Sequence, residues 1–597
     1  MNKINYKKRL QLLFAELNNH GFDGFIVPHA DEFQGEYVPA SAQRLAWLTG
    51  FTGSAGLAIV HPDESAIFVD GRYTLAVRDQ VETFKPYDYS SLTEWLKKQR
   101  SVKLAYDPWL HTLNDLALFK DVQLVACETN PIDTIWLDQP EPPLAPVVPY
   151  PLSYAGETSE TKREQIILDD GIDAVMLTAP DSIAWLLNIR GGDVPRAPLP
   201  LCFAILYANK YVDLFIDKQK INVGWVERSE THHLGDSVGF ASLYPPYMIE
   251  KHLSENVTIY EFTDLATILD KLNQSSVLID PKQTPVWIVK RLNKIVKGDD
   301  PCLLPKACKN STEIAGTRAA HLRDGSALTR FLSWLKPGVD EIQAAERLEQ
   351  FRAETGLLHD LSFDTISGYG ANGAIVHYQV TAKTNKVLET GNLYLVDSGG
   401  QYLDGTTDVT RTIAIGTPTA EHKDRFTRVL KGHIAIATCR FPEGTTGTQL
   451  DILARHALWQ VGLDYQHGTG HGVGIFLSVH EGPQSISKRI NKIALKPGMI
   501  ISNEPGYYKA GAYGIRIENL ILVTEAEAIE GGEQPMMGFE TLTLAPIDRN
   551  LIEVSLLNEK EIAWINNYHA RVYEKIAPTL KDEEECQWLA KATATIY

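Results

Sequence analysis

The sequence predicts a mixed α/β chain in three parts. Two copies of one small α/β domain span 1–145 and 146–305, and an α+β domain spans 306–597. Three observations predict this. An apolar helix followed by two short apolar runs occurs twice. Prolines crowd the stretch between the copies. The last part opens with helices and turns to strands separated by Gly-rich turns.

The chain begins with Leu10, Leu13, Phe14 and Leu17 at helical spacing, so an amphipathic helix is expected there. Gly21-Phe-Asp-Gly-Phe-Ile-Val-Pro then resembles Gly171-Ile-Asp-Ala-Val-Met-Leu-Thr, and Arg44-Leu-Ala-Trp-Leu-Thr-Gly resembles Ser182-Ile-Ala-Trp-Leu-Leu-Asn. Apolar runs follow in each copy: Leu57–Val60 and Ala66–Val69, then Phe203–Tyr207 and Val212–Ile216. An insertion of about a dozen residues shifts the second register. Between the copies, the segment from Asp138 to Pro151 holds six prolines, which suit neither a helix interior nor a central strand. It reads as an extended linker. A second break falls at Gly298-Asp-Asp-Pro-Cys. Beyond it, Ser311 is placed to cap a helix running to Trp334, closed by Pro337 and Gly338. Strands are expected at Leu393–Val396, Val409–Ile415, Met499–Ile501 and Ile515–Val523. The tail around Glu583-Glu-Glu-Cys-Gln-Trp-Leu reads as a solvated helix.

Composition bounds the function. Over 597 residues, 44% are hydrophobic and 22% charged, which suits a folded protein and excludes fibre or wholesale disorder. A net charge of −18 argues against nucleic acid or anionic lipid as a bulk partner. No run of about 18 apolar residues suggests a membrane span, and the N-terminus lacks the apolar core of a signal peptide. Six scattered cysteines, with only Cys302 and Cys308 close together, read as free thiols in a reducing compartment. A cytoplasmic location is therefore expected.

The third part carries the chemistry. Leu393-Tyr-Leu-Val-Asp397 is an apolar strand ending on a carboxylate. A turn at Asp404-Gly405 leads to Asp408, so a hairpin would bring Asp397 and Asp408 together. The device recurs: Met499-Ile-Ile-Ser-Asn-Glu504 returns through a Gly-rich turn to Gly514-Ile-Arg-Ile-Glu518. Between the hairpins lies His467-Gly-Thr-Gly-His471-Gly-Val-Gly. Burying unpaired carboxylates costs on the order of several kcal/mol each. Two divalent cations would neutralise four of them. Oxygen-rich ligation with one imidazole suits manganese, cobalt or zinc, and the carboxylate excess favours manganese. Ions bridged in this way form a two-metal hydrolytic arrangement.

These segments resemble the aminopeptidase P and prolidase group of metallopeptidases. The motifs are Asp397-Ser-Gly-Gly-Gln-Tyr, Thr406-Thr-Asp-Val-Thr-Arg-Thr, His467-Gly-Thr-Gly-His-Gly-Val-Gly, Asn503-Glu-Pro-Gly-Tyr-Tyr and Gly514-Ile-Arg-Ile-Glu-Asn. The resemblance covers the whole chain, including the tail with Leu542-Thr-Leu-Ala-Pro and Asn566-Asn-Tyr-His. It is greatest to three-domain cytosolic Xaa-Pro aminopeptidases, because prolidases have one N-terminal domain. It implies two creatinase N-terminal-like α/β domains and a C-terminal pita-bread catalytic domain. It also implies a homodimer, and removal of the first residue from peptides with proline second. By resemblance, Asp408 and Glu518 bridge two divalent ions, Asp397 binds one, and His471 and Glu504 bind the other. A bridging hydroxide is the implied nucleophile, with Glu504 as general base and then acid. His480 matches an oxyanion-stabilising histidine, His377 a substrate-binding one, and His467 a further active-site one. Arg72 matches a first-domain arginine that contacts substrate.

Other readings carry less. Gly235-Asp-Ser-Val-Gly fits a serine-hydrolase pattern but follows a polar stretch where a strand is needed. Gly368-Tyr-Gly-Ala-Asn-Gly lacks the Lys-Ser/Thr of a phosphate loop. Alternatives within the resemblance are a dipeptide-only prolidase, a metal-free binding module of the same fold, and creatinase. The extra domain disfavours the first and the intact ligand set the other two.

Overall fold

This computed structural model describes residues 5–221, 247–253 and 256–597. The Gly235–Gly239 pattern lies outside them. The chain forms two compact units, one of residues 1–152 and 157–303, the other of 153–156 and 304–597.

The first unit contains the duplication. After helix α1 (Tyr6–Asn19), which buries Leu13 and Leu17, six strands form one sheet. They are β1 (Gly24–Pro28), β2 (Leu57–Val60), β3 (Ala66–Val69), β4 (Lys85–Asp88), β5 (Lys103–Tyr106) and β6 (Gln123–Ala126), in the order β4-β3-β2-β1-β5-β6. The second copy supplies β7 (Ala174–Leu177), β8 (Phe203–Tyr207), β9 (Val212–Phe215), β10 (Val257–Tyr260), β11 (Ser276–Ile279) and β12 (Lys294–Lys297). Their order is β10-β9-β8-β7-β11-β12, the same topology. The pairing senses also match: the first three strands of each copy pair antiparallel, and the remaining neighbours are parallel. Central strands read as continuous apolar runs because both faces are covered. The edge strands β4 (Lys-Pro-Tyr-Asp) and β12 (Lys-Ile-Val-Lys) are largely exposed and charged. Between the copies, Trp109 stacks on Trp287 at 4.0 Å. Residues 139–147 of the proline-rich segment form neither helix nor strand, and its end, Val148–Pro149, pairs with Ile189–Arg190. A short isolated ladder of this kind tolerates proline.

The second unit begins with a helix at Leu303–Ala307 and then α2 (Ser311–Trp334). Its N-cap is Asn310, not Ser311. The Asn310 carboxamide oxygen accepts the N–H groups of Thr312 and Glu313, and Glu313 returns the bond as a capping box. Strands β13 (Ile366–Tyr369), β14 (Asn392–Ser398) and β15 (Val409–Ile415) form a sheet centred on β14. Helices α3 (Ala420–Thr438) and α4 (Gly447–Trp459) follow. A five-stranded sheet then runs β17 (Glu481–Ile486), β16 (Gly470–Gly472), β18 (Ile500–Asn503), β21 (Asn519–Val523) and β22 (Phe539–Thr541), while β19 (Gly506–Lys509) and β20 (Tyr513–Arg516) make a separate hairpin. The expected strand over 515–523 is thus two strands broken at Ile517–Glu518. The Glu518 N–H leaves its own ladder to bond the Thr410 carbonyl at 3.2 Å, tying the two sheets together.

The terminal helices α5 (Glu559–Ile576) and α6 (Glu583–Ala592) close the core. The tail helix is not simply solvated. Leu589 is fully buried, and Glu585 pairs with Arg330 of α2 at 3.1 Å. All six cysteines are free.

Candidate metal centre

Two antiparallel hairpins place the acids. In the first, Asp397 near the end of β14 lies opposite Thr410 of β15, and Asp408 immediately precedes β15. In the second, Asn503 of β18 faces Asn519 of β21, so Glu504 and Glu518 leave the ladder side by side. Gly470 permits the histidine strand to approach: a Cβ there would stand 1.9 Å from the Ser502 carbonyl oxygen. His471 is thereby held against β18, its N–H on Ser502 Oγ at 2.9 Å.

The predicted ligands converge. Ligand atoms of Asp408, His471 and Glu518 all lie within 4.8 Å of one another. His471 Nε2 is 3.5 Å from both Asp408 Oδ2 and Glu504 Oε1. Its Nδ1–H donates to the Gly472 carbonyl at 2.9 Å, which orients the ring and turns Nε2 toward the acids. Ser502 Oγ donates to Glu504 Oε1 at 3.1 Å, and Thr410 Oγ1 to Glu518 Oε2 at 2.7 Å. Asp397, Asp408 and Glu518 are buried.

Electrostatics make this arrangement costly without cations. Burial, only partly offset by Arg516 and aggravated by Asp408, pushes Asp397 up to about 6. Burial and then the charges of Asp408, Asp397 and Glu504 push Glu518 well above the usual carboxylate range. At His471 burial opposes the charged form, yet the hydrogen bond to Asp408 and the charges on Glu504 and Asp408 outweigh it and raise the imidazole to about 9. Asp397 Oδ1 is buried with no hydrogen-bond partner. A buried orphan oxygen, three mutually close donors and an oxygen-rich set with one imidazole fit divalent cations.

Around the acids, sequence reasoning missed two residues inside its own motifs, Arg516 and Tyr508. The buried Arg516 guanidinium donates to Asp397 Oδ2 (2.6 Å), Thr410 Oγ1 (3.1 Å), Tyr508 OH (2.6 Å) and the Val376 carbonyl (3.4 Å). With its Nη1 donating to the phenol, Tyr508 OH donates to His467 Nε2 at 2.8 Å, and His467 Nδ1–H reaches the Gly468 carbonyl at 2.7 Å. One residue therefore ties Asp397, Glu518, His467 and the segment of His377 together. The signal was available: Arg516 stands two residues before Glu518 in the stretch expected as one strand, where alternate residues share a face. His377 follows Val376 in a half-buried turn beside β20. Gly514 admits that turn, since a Cβ there would meet the Gly373 carbonyl oxygen at 1.7 Å. His480 stands edge-on to His471 with ring centroids 4.3 Å apart. Arg72 belongs to the first unit, where Asp70 holds it at 2.8 Å and Glu36 at 3.5 Å.

Comparison with known proteins follows the same division. Residues 315–525 match the model of metallopeptidase family M24, and 535–596 that of its C-terminal region. Residues 9–135 and 138–313 each match a creatinase/prolidase N-terminal domain model. The chain is 39% identical over 621 residues to a "Probable Xaa-Pro aminopeptidase P" of Laccaria bicolor, covering 98% of this chain and 93% of that one. It is 38% identical to "Aminopeptidase P2" of Arabidopsis thaliana, covering 97% and 87%. Its structure matches an X-prolyl aminopeptidase of Caenorhabditis elegans, described as a cytosolic enzyme with a di-nuclear active site. The TM-score is 0.90 and the identity 31%, over 99% of this chain and 100% of that one.

The protonation pattern sets a test. Without metal, Asp397 keeps a proton up to about pH 6 and His471 up to about pH 9, and Glu518 holds its proton well above the usual carboxylate range. Metal must displace those protons. Affinity is therefore expected to rise as pH rises from about 6 toward about 9, the values at Asp397 and His471, with protons released on binding. Competition against a chromophoric chelator at several pH values measures this, and a flat affinity contradicts it.

Proposed function

The chain belongs to metallopeptidase family M24, and on that basis we infer that it is a metalloaminopeptidase that removes the N-terminal residue from peptides with proline in second position. The observation that carries this reading is the meeting of Asp397, Asp408, His471, Glu504 and Glu518 at one largely buried site. The chain around them is similar along its whole length to Xaa-Pro aminopeptidases. In this reading the segments 1–145 and 146–305 hold no metal ligand and serve substrate binding, and 306–597 is catalytic.

We assign Asp397, Asp408, His471, Glu504 and Glu518 as the residues that would hold two divalent ions: Asp408 and Glu518 would serve both, Asp397 one, and His471 and Glu504 the other. Manganese is preferred, with zinc or cobalt as substitutes, because four of the five ligands are carboxylates. When bound, the ions supply Lewis acidity and a nucleophile competent at neutral pH. The protein's own groups do the remainder. The Glu504 carboxylate takes the nucleophile's proton and passes it to the leaving proline nitrogen. His480, beside His471, donates to the carbonyl oxygen as it gains charge. Asp397 attracts the substrate's α-ammonium, and His377, on its turn beside β20, binds substrate. His467 has one ring nitrogen on Tyr508 and the other on Gly468, which supports an orienting role. Arg72 offers a planar set of donors to peptide remote from the scissile bond.

We also place the enzyme in the cytoplasm as a homodimer. Six free cysteines support the first. No helix among the described residues is long and apolar enough to cross a membrane. The homodimer rests on the resemblance to three-domain Xaa-Pro aminopeptidases.

Three outcomes test the reading. An Xaa-Pro-Xaa tripeptide should lose its first residue with manganese present, and chelation or N-acetylation of the substrate should abolish turnover. Equal cleavage of Xaa-Ala peptides contradicts it. In His480→Ala, kcat should fall about 10²–10³-fold at unchanged metal content; a metal-depleted protein overturns the oxyanion role. Arg72→Ala should lower kcat/KM by about tenfold or more while binding metal normally; wild-type turnover of longer peptides removes Arg72 from the site.

A further inference from the structure

Beneath the histidine segment lies a second buried arginine that neither the motif nor the proposed mechanism uses. Arg455 sits on the inward face of α4 with Asp451, Ala454 and Leu458, and it is fully buried. A buried guanidinium is tolerated only when its five N–H groups are satisfied. Here they are. Nε donates to Asp451 Oδ2 at 2.7 Å, and Nη2 to Asp451 Oδ1 at 3.3 Å and the His467 carbonyl at 2.9 Å. Nη1 donates to Asp464 Oδ1 at 2.8 Å and the Tyr465 carbonyl at 2.7 Å. The guanidinium carbon also lies 3.8 Å from the centroid of the Tyr465 ring.

The acceptors are concentrated on 464–467, the segment that leads into the metal-binding histidine. From there the network continues. Asp451 Oδ1 also accepts Thr469 Oγ1 at 2.6 Å, and Tyr465 OH meets the same hydroxyl at 2.5 Å. The Thr469 carbonyl accepts the Glu504 N–H at 2.8 Å, and the Thr469 N–H donates to the Ile486 carbonyl at 2.8 Å. Thr469 thus stands two residues before one assigned ligand and bonds the main chain of another.

We propose that Arg455 is a positioning residue of the metal centre: its guanidinium fixes the main chain from Asp464 to Thr469, and through Asp451 and Thr469 it sets the spacing between His471 and Glu504. This rests on the metallopeptidase reading above. A helix-to-helix clamp would spend its donors on neighbouring helices, whereas this one spends four of five on Asp451 and two loop carbonyls that lead to the ligands. Lysine is no substitute, because one ammonium cannot reach Asp451, Asp464 and two separate carbonyls in a plane.

The test uses the full-length, metal-loaded chain and the variants Arg455→Lys and Thr469→Val. For each, thermal unfolding without metal, the rate of manganese release to a chromophoric chelator, and kcat and KM on an Xaa-Pro-Xaa tripeptide are measured. Outer ligand supports typically affect metal affinity or activity 10–100-fold, so Arg455→Lys should release metal about tenfold faster or more and lose kcat about tenfold, with KM within about threefold. Thr469→Val should move in the same direction by less. Folded Arg455→Lys with wild-type release and kcat overturns the proposal. If Arg455→Lys does not fold, Thr469→Val decides: faster release supports the proposal, and wild-type release sinks it. The release measurement needs no peptide, so a wild-type chain that fails to cleave Xaa-Pro bonds would refute the functional reading separately.

Discussion

Four carboxylates gathered around His471 and Arg516, three of them buried, are the constraint on which the catalytic unit depends. Such a cluster repels itself strongly where the effective dielectric is low. Protons relieve it in the metal-free chain, as the raised values at Asp397 and Glu518 indicate. The structure adds one fixed cation, Arg516, whose hydrogen bond to Asp397 offsets part of the repulsion. It leaves Asp397 Oδ1 and His471 Nε2 facing the remaining charge.

The fold around the cluster is arranged to hold it against that repulsion. Three buried arginines do so in one manner, by spending donors on main-chain carbonyl oxygens, and Arg516 and Arg455 bond acids as well. Arg411 bonds the carbonyls of Glu518, Ala545 and Pro546. Arg516 reaches Val376, and Arg455 reaches Tyr465 and His467. A guanidinium used this way braces main chain rather than neutralising a partner, so the ligand-bearing strands cannot drift apart without breaking several bonds together. Glycines at 470 and 514 complete the arrangement by letting backbones meet where no side chain fits.

Much of this was legible in the sequence, for identifiable reasons. Apolar strands that end on carboxylates are rare because they are costly, so Asp397, Asp408, Glu504 and Glu518 stood out. The repeated domain was readable because its central strands are continuous apolar runs. Other features were hidden. A strand over 515–523 looked continuous because Ile517 is apolar, but the Glu518 N–H is drawn across to Thr410. Ser311 and Asn310 are both good caps, and only the geometry shows that the Asn310 side chain takes the free N–H groups. Arg455 lies sixteen residues before His471 on a helix, where one charged residue among several carries no distinguishing pattern.

The paired six-stranded sheets have a bearing on how the chain survives its own synthesis. Two open sheets of one topology present free strand edges, and a nascent chain could pair a strand with the wrong sheet or with another molecule. Lys85, Pro86 and Asp88 on one outer strand and Lys294 and Lys297 on another obstruct such pairing, through charge and through a missing N–H. Divergence between the copies, Phe-Ile-Val-Pro against Val-Met-Leu-Thr in their first strands, further separates the two registers. These residues lie outside the proposed catalytic site, and they disfavour edge-to-edge pairing at two of the four outer strands of the duplicated sheets.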